Sequence, residues 1–264
     1  MFQKRLARRE LIKLAAGAGA VTTAFAGTGR IALADSTKTS ATRGLVTVHK
    51  LGPVTLHTYM APEGSALVTT HIVETSNELH VIDTQFFQDF AKEARAYADG
   101  LGKPIRRVYL SHYHPDHLLG GSQFANVEFV TSDAVRADVD ANGKLYAARK
   151  DKFKDTTPMN VPQGGLGLGP DTWDGVAVEI AEVRDCEAAN SLTFRFPDAG
   201  LMIVQDLMYA SAHAFPLGKH DNWIAALEKI RETEGLNVIG AGHGLPATAG
   251  AIDDAIAYLR FQAK

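Results

Sequence analysis

Two periodicities of apolar residues alternate along the chain. Alternating or β-branched apolar residues predict strands in five segments of the first half: residues 46–59, 66–74, 78–83, 105–110 and 127–131. Between the third and fourth of these, apolar residues recur every four positions over residues 86–101, which predicts a helix that ends at Gly100 and Gly102. A second helix is expected to begin near Ser132.

The second half of the chain continues the same alternation. Strands are predicted over residues 176–183, 192–196, 201–204 and 237–240, and amphipathic helices over residues 221–233 and 249–261. Residues 144–175 show no clear period, are basic at first and then rich in glycine and proline, so they are predicted to form a lid or binding loop. Interspersed strands and helices indicate an α/β layered fold with mixed sheets.

Composition narrows the class of protein. The chain has 264 residues, of which 45% are hydrophobic, enough for one sizeable core in a single domain. Cys186 is the only cysteine, so an internal disulfide and a cysteine-based structural zinc site are both excluded. The formal net charge is −3. The first 34 residues are basic, so the rest of the chain is more acidic than this value suggests, and no attraction to nucleic acid is expected.

The N-terminus reads as a targeting segment. Arg8 and Arg9 precede a weakly apolar run over residues 14–29, and small residues follow at Ala32 and Ala34. This pattern resembles a bacterial twin-arginine (Tat) signal peptide, which the Tat export machinery reads. The resemblance implies that residues 1–34 are the signal and residues 35–264 a periplasmic or secreted domain, with no stable membrane insertion. An ordinary basic N-terminus or an uncleaved anchor are the alternatives.

Four side chains with metal-ligand chemistry fall within six residues, directly after a predicted strand: His112, His114, Asp116 and His117. In an extended segment, residues i and i+2 point the same way, so His112 and His114 can hold one cation together. Beyond the bend expected at Pro115, Asp116 and His117 can face a second cation. Imidazole and carboxylate ligands suit zinc and similar divalent ions.

This loop closely resembles the His-x-His-x-Asp-His motif of the metallo-β-lactamase superfamily. That family has a four-layer αββα sandwich with the metals at one edge, which is the fold expected here. The resemblance implies three further roles: Asp83 orients the metal loop, Asp206 bridges the metals, and His243 binds the second metal. The residue before Asp206 is Gln205, where the family usually has glycine.

One landmark departs from the family pattern. Where the family usually has Gly-His-Thr-x-Gly-Ser, this chain reads Cys186-Glu187-Ala188-Ala189-Asn190-Ser191. A glutamate in place of the third histidine resembles the alkylsulfatase branch, so Glu187 is predicted to be a ligand of the first metal. The alternatives are a solvated or salt-bridged Glu187, and a substitute ligand at Asp185. Cys186 is expected to be a small packed residue.

The resemblance implies a hydrolase with two Zn²⁺ ions per chain, for which Mn or Fe are alternatives because of the oxygen ligand. A metal-bridging hydroxide would cleave an ester, lactone, amide or sulfate-ester bond in a small molecule. Asp116 would orient the hydroxide or accept its proton. Tyr209 would donate to the substrate carbonyl, as a tyrosine does in the lactonase branch; a packed core tyrosine is the alternative. The alternative hypotheses are a β-lactamase, an iron-dependent oxidoreductase and a non-catalytic metal-binding protein.

Overall fold

Two β-sheets and six α-helices make up the described part of the chain. The computed structural model describes residues 31–32, 34–39, 44–215 and 219–263. The predicted signal, residues 1–34, therefore lies almost entirely outside the described residues. Ala32, just before the predicted cleavage point, donates its main-chain N–H to the Pro246 carbonyl at 3.0 Å. None of the helices in these ranges combines the length and apolar character needed to span a bilayer.

The first sheet contains seven strands in chain order. Its first five strands are antiparallel to their neighbours, and the last three run parallel to one another. The strands are β1 (Ser36–Thr39), β2 (Leu45–Leu51), β3 (Val54–Met60), β4 (Thr69–Glu74), β5 (Leu79–Ile82), β6 (Ile105–Tyr109) and β7 (Phe129–Val130). All five strand segments predicted in the first half are present, the first of them as two strands.

The second sheet contains five strands in the order β12-β11-β10-β9-β8. Its members pair antiparallel, apart from β11 and β12, which run parallel. The strands are β8 (Gly169–Trp173), β9 (Val176–Arg184), β10 (Asn190–Phe196), β11 (Leu201–Ala210) and β12 (Val238–Gly244). The parallel strands, β5 to β7 in the first sheet and β11 and β12 in the second, bring their carboxyl ends to one edge of the molecule.

Six α-helices accompany the sheets in the described residues: α1 (Gln88–Asp99), α2 (Pro115–Leu118), α3 (Asp133–Ala141), α4 (Gly143–Lys152), α5 (His220–Arg231) and α6 (Ala251–Gln262). Of these, α1, α5 and α6 cover the outer faces of the sheets. Phe90 and Ala94 of α1 pack on Val48 and Tyr59 of the first sheet. Helices α5 and α6 pack their apolar faces on β11 and β12.

Between the sheets lies the largest core cluster, which joins residues such as Leu56, Ile72 and Val81 to Trp173, Val178 and Phe194. Full burial of each such side chain contributes about 1.5–3 kcal/mol to folding, and both sheets donate one face to it. The arrangement is therefore helix, sheet, sheet, helix, and the predicted αββα sandwich is confirmed.

The prediction for residues 144–175 is wrong in part. The structure forms α4 over Gly143–Lys152 and begins β8 at Gly169, so only residues 153–168 are irregular. Helix α4 was not recognisable because Tyr146 is its one buried side chain, which leaves no apolar stripe in the sequence. The Tyr146 hydroxyl donates to the Tyr113 carbonyl at 2.8 Å, which ties this helix to the histidine loop.

Candidate metal centre

The histidine loop leaves the carboxyl end of β6 and enters the short helix α2. Pro115 occupies the first turn of this helix, where its fixed φ suits the geometry and its missing N–H costs nothing. His114 is the extended residue before it, at φ −63° and ψ 144°. His112 and His114 therefore precede the bend, while Asp116 and His117 follow it, as the sequence predicted.

The first group of ligand atoms comprises His112, His114, Glu187 and Asp206, each offering one atom within 4.8 Å of the others. Glu187 Oε2 lies 3.3 Å from His114 Nδ1 and 3.9 Å from His112 Nε2. The carboxylate is 1% exposed, so the alternative of a solvated Glu187 does not describe this structure. Asp185, the substitute candidate, instead lies 3.1 Å from Lys219 Nζ with more than half of its side chain exposed.

A tight turn between β9 and β10 brings Glu187 to this position. The Asp185 N–H donates to the Ala189 carbonyl at 2.8 Å, and the Cys186 N–H donates to the Ala188 carbonyl at 3.1 Å. The first residue of the turn, Asp185, takes φ 55°. Glu187 lies at the tip, directed toward the centre. Burial, together with Asp185, raises the pKa of the Cys186 thiol to about 11, as expected of a packed cysteine.

The second group comprises Asp116, His117 and His243. Asp116 Oδ2 lies 3.8 Å from His117 Nε2 and 3.5 Å from His243 Nε2. His243 comes from β12, more than a hundred residues further along the chain. Its ring is 1% exposed, whereas Asp116 is 27% exposed and marks the open side of the centre.

Asp206 lies between the two groups. Its Oδ1 is 3.1 Å from His117 Nε2, and its Oδ2 is 3.3 Å from His243 Nε2 and 3.6 Å from His112 Nε2. The neighbouring strand allows this only because residue 242 is glycine, since a Cβ on Gly242 would lie 1.8 Å from Asp206 Oδ1. Asp206 thus lies within reach of both groups, and its bridging role stays a prediction.

The outward nitrogens of three imidazoles are held by protein acceptors. His117 Nδ1 lies 2.8 Å from Asp83 Oδ2, and His243 Nδ1 lies 2.8 Å from the Ala66 carbonyl, so each nitrogen donates a proton. His112 Nδ1 lies 2.8 Å from Ser111 Oγ, whose own proton goes to Asp83 Oδ2 at 2.7 Å, so this nitrogen donates as well. In the neutral rings, all three Nε2 lone pairs therefore face the centre, as cation ligation requires.

Within the described residues, four buried inward atoms lack a hydrogen-bond partner: His112 Nε2, His117 Nε2, Glu187 Oε2 and Asp206 Oδ1. A buried polar atom without a partner costs about 1–3 kcal/mol, more if it is charged. Acceptor atoms that converge in this way repel one another unless a proton or a cation lies between them. The donor set therefore fits divalent cations.

The carboxylates and imidazoles strongly perturb one another. Burial raises the pKa of Glu187 well above its usual value, and the charge of Asp206 adds to this effect. Burial opposes ionisation of Asp206 too, but the imidazoles of His117, His243 and His112 hold its pKa well below the usual value. Burial lowers the pKa of His114 to about 3, and His112 adds to the effect, so this imidazole is neutral and free to ligate. Strong shifts of this kind concentrate at functional sites.

Asp83 also lies within ligand distance of His112 and His117, but its oxygens are engaged elsewhere. Oδ1 accepts the Ser111 N–H at 2.7 Å, and Oδ2 accepts the Ser111 hydroxyl and the His117 Nδ1–H. The Gln205 amide donates to Oδ2 as well. This geometry fits the orienting role that the resemblance implied for Asp83.

Tyr209 faces the centre from β11. Its hydroxyl donates to Asp206 Oδ2 at 2.8 Å, and its ring stacks on His243 with centroids 4.6 Å apart and an interplanar angle of 4°. Burial and the charge of Asp206 raise the pKa of Tyr209 well above its usual value, so the hydroxyl keeps its proton. The hydroxyl is directed to a ligand in this structure, and donation to a substrate carbonyl stays a prediction.

Sequence reasoning missed the residues that hold the ligands in place. Ser111, the Ala66 carbonyl and the Gln205 amide all contact ligands or Asp83, and neither Ser111 nor Ala66 carries a recognisable motif. His71 lies 3.0 Å from the Ala241 carbonyl, in the strand that carries His243. His213 and His220 belong to neither ligand group.

Comparisons of the whole structure give neighbours with the same fold. A metallo-beta-lactamase from Pontibacter korlensis has TM-score 0.60 and 16% identity, covering 81% of this chain and 99% of that one. The structure of VMB-1 has TM-score 0.65 and 14% identity over 83% and 98% of the two chains. TMB-1 has TM-score 0.62 and 13% identity over 83% and 99%. At these identities the likeness concerns the fold alone.

Sequence comparison identifies the family. No curated protein matches the chain closely enough to count as a relative. The family model described as the metallo-beta-lactamase superfamily matches residues 66–243, a span that contains every ligand candidate from His112 to His243. The match covers more than half of the chain and coincides with the sandwich and the ligand groups described above. The chain therefore belongs to the metallo-beta-lactamase superfamily, a metal-dependent hydrolase-type fold with candidate divalent-metal ligands at one edge.

Proposed function

We propose that this protein is a binuclear metal-dependent hydrolase that uses a metal-activated water to cleave an ester, lactone, amide or sulfate-ester bond in a small molecule. The observation that carries the proposal is the position of Asp206 between two convergent ligand groups whose buried inward atoms have no hydrogen-bond partner among the described residues. Such a centre fits two cations that share one carboxylate.

Bound divalent cations would supply Lewis acidity and lower the pKa of a water molecule. The protein's own residues do the rest. Asp116 is the most exposed ligand candidate and lies beside His117 and His243, so it can orient the attacking water and accept its proton. Tyr209 holds Asp206 through its hydroxyl and stacks on His243, which restricts both ligands to one arrangement.

We propose zinc as the resident metal, at two ions per chain. The Nε2 atoms of His112, His117 and His243 face the centre, and imidazole ligands suit zinc. Glu187 replaces an imidazole with an oxygen ligand, which makes harder ions such as Mn or Fe the alternatives.

Metal analysis together with a hydrolysis panel tests the proposal. The protein, purified without chelator, is analysed for metals and its visible spectrum is recorded. The metal-loaded protein is then assayed with aryl esters, lactones, alkyl sulfates and a chromogenic β-lactam. We expect about two zinc ions per chain, no visible absorption, and hydrolysis of one bond class that a chelator abolishes.

Other outcomes of these experiments would favour one of the alternative functions. Iron and visible absorption bands would favour an oxidoreductase on the same fold. Hydrolysis of the β-lactam alone would favour a β-lactamase, a name that one of the neighbouring structures carries but that 16% identity does not transfer. Full metal loading without hydrolysis of any substrate would contradict catalysis and favour a metal-binding protein.

We also propose Tat-dependent export to the periplasm or beyond, which rests on Arg8, Arg9 and the apolar run that follows them. The test is the location of the protein in a bacterial host with and without Arg8→Lys and Arg9→Lys together. Retention of the double variant in the cytoplasm is expected. Unchanged export of the variant would contradict the proposal.

A further inference from the structure

Gln205 has a backbone conformation that glutamine rarely adopts. Its φ is 45°, in the left-handed region where glycine is favoured, and it is fully buried. Asp83 and Gln85, at φ 61° and 79°, are likewise fully buried beneath the same centre. Left-handed conformations of this kind cost of order 1–3 kcal/mol each and persist where the surroundings enforce them. A contact that only glutamine can make would account for its presence.

That contact is the bond from Gln205 Nε2 to Asp83 Oδ2. The two residues are 122 positions apart: Asp83 directly follows β5 of the first sheet, and Gln205 lies in β11 of the second. The same oxygen already accepts protons from the Ser111 hydroxyl at 2.7 Å and from His117 Nδ1 at 2.8 Å. Asp83 Oδ1 accepts the Ser111 N–H at 2.7 Å, so the carboxylate is oriented without Gln205. The amide adds a third donor to one oxygen of a carboxylate that is already fixed.

The third donor reduces the negative charge that the Asp83 carboxylate presents to His117. A carboxylate that accepts from the far nitrogen of a ligating imidazole makes that imidazole a stronger ligand. Each further donor to the same oxygen draws on the same negative charge. The region is buried, where such electrostatic effects are large, so the third donor weakens cation binding on the side of His117.

We propose that Gln205 is a positioning residue that acts through Asp83 to weaken cation binding at the His117 side of the centre. The inference rests on the proposed function only in assuming that the centre holds cations. A weaker hold on the cation leaves it more electron-poor and therefore a stronger Lewis acid. Gln205 would thus exchange metal affinity for reactivity.

The direct test is Gln205→Met, which keeps the length and volume of the side chain and removes the donor. Zn²⁺ affinity is measured on the metal-free protein by competition with a chelator of known affinity. We expect the variant to bind its two Zn²⁺ ions about tenfold more tightly overall than the unsubstituted protein. Equal or weaker binding by the folded variant would overturn the inference.

A second variant covers the case in which methionine is not tolerated at φ 45°. Gln205→Gly suits that conformation and also lacks the amide, so the same tightening is expected. The matched control is Gln85→Met. Gln85 is a fully buried glutamine with positive φ whose amide donates to the Val68 carbonyl and to Thr70 Oγ1, but not to Asp83. Gln85→Met is expected to lower stability and leave Zn²⁺ affinity unchanged.

A double-mutant cycle separates an effect through Asp83 from a purely structural one. In an Asp83→Asn background the carboxylate charge is gone, so Gln205→Met should no longer change Zn²⁺ affinity. A tenfold effect that persists in that background would overturn the inference. If the unsubstituted protein binds neither Zn²⁺ nor Mn²⁺ or Fe²⁺, the proposed function fails; if it binds Zn²⁺ and the variants do not bind more tightly, only the role of Gln205 fails.

Discussion

Glu187 is the ligand candidate that departs most from the metallo-β-lactamase motifs, because it stands where the family usually has a histidine. It lies 1% exposed and 3.3 Å from His114 Nδ1. We predict that Glu187→Ala loses about one cation per chain and most of the activity, because it removes the one ligand of the first group that comes from the β9–β10 turn. Metal analysis after dialysis measures this loss.

Asp185→Ala is the control for that substitution. It removes a carboxylate from the same turn, but one that pairs with Lys219 and lies outside both ligand groups. Its metal content should equal that of the unsubstituted protein. Two cations retained in Glu187→Ala, or one lost in Asp185→Ala, would contradict the assignment of Glu187.

His80 is a buried histidine that belongs to neither ligand group. It makes the stability of the folded protein depend on pH. It stacks on Trp173 with centroids 4.3 Å apart and is 3% exposed. Burial lowers its pKa from 6.5 to about 4, with Arg107 and Arg106 adding to the effect. As the pH falls below 6.5, the unfolded chain takes up this proton before the folded protein does. Stability is therefore lost between pH 6.5 and 4, by about 3 kcal/mol at most.

The corresponding prediction concerns His80→Phe, which keeps an aromatic ring in the stack and cannot be protonated. The free energy of unfolding of this variant should fall less steeply between pH 6.5 and 4 than that of the unsubstituted protein. Urea unfolding at several pH values, with chelator present in both samples, measures the difference without a contribution from metal release. Identical slopes would show that His80 does not carry the effect.

Helix α4 is attached to the histidine loop by one buried side chain. Tyr146 is 2% exposed, and its hydroxyl donates to the carbonyl of Tyr113, which lies between His112 and His114. We predict that Tyr146→Phe lowers the free energy of unfolding by about 1 kcal/mol, the usual value of such a bond. It should also weaken Zn²⁺ binding a few-fold, because the loop between the two ligands loses its tether.

Tyr59→Phe provides the comparison for this prediction. Tyr59 is also buried, but its hydroxyl donates to Glu93 Oε2 at 2.9 Å on the α1 side of the first sheet. Its removal should lower stability and leave Zn²⁺ affinity unaltered. If both variants changed affinity equally, the tether would have no special connection with the metal loop.

Among the described residues, an apolar side chain, Phe215, is exposed beside the centre. Phe215 is 54% exposed, and its ring centroid lies 6.4 Å from the rings of both His243 and Tyr209. Given the proposed function, we predict that Phe215 contacts the apolar part of the substrate. Phe215→Ala should then raise KM about tenfold, about 1.4 kcal/mol of binding, with little change in kcat.

Phe261→Ala tests whether such an effect is specific. Phe261 is 71% exposed near the end of α6 and lies in neither ligand group. Steady-state kinetics of both variants on the best substrate of the panel gives the comparison. An unchanged KM for Phe215→Ala, or an equal rise for Phe261→Ala, would show that Phe215 does not contact the substrate.

Much of this architecture could be predicted from the sequence. Alternation and helical spacing predicted most strands and helices, because a half-buried strand or helix must repeat with the period of its backbone. Strands β1 and β8 were not predicted. Helix α4 escaped because it buries only Tyr146. The ligand candidates were recognisable because His112 to His117 lie within six residues and the other motifs follow in the order of the family.

The sequence by itself determined which side chains could act as ligands, since the i, i+2 spacing around His114 and the bend at Pro115 are local properties of the backbone. Tertiary structure alone decided the contacts that tune the centre. The buried Glu187 beside His114 and the Gln205 amide on Asp83 join segments from two different sheets. Such contacts depend on how the sheets pack, and no local pattern records that, because packing energy is summed over the whole core rather than over neighbours in the chain.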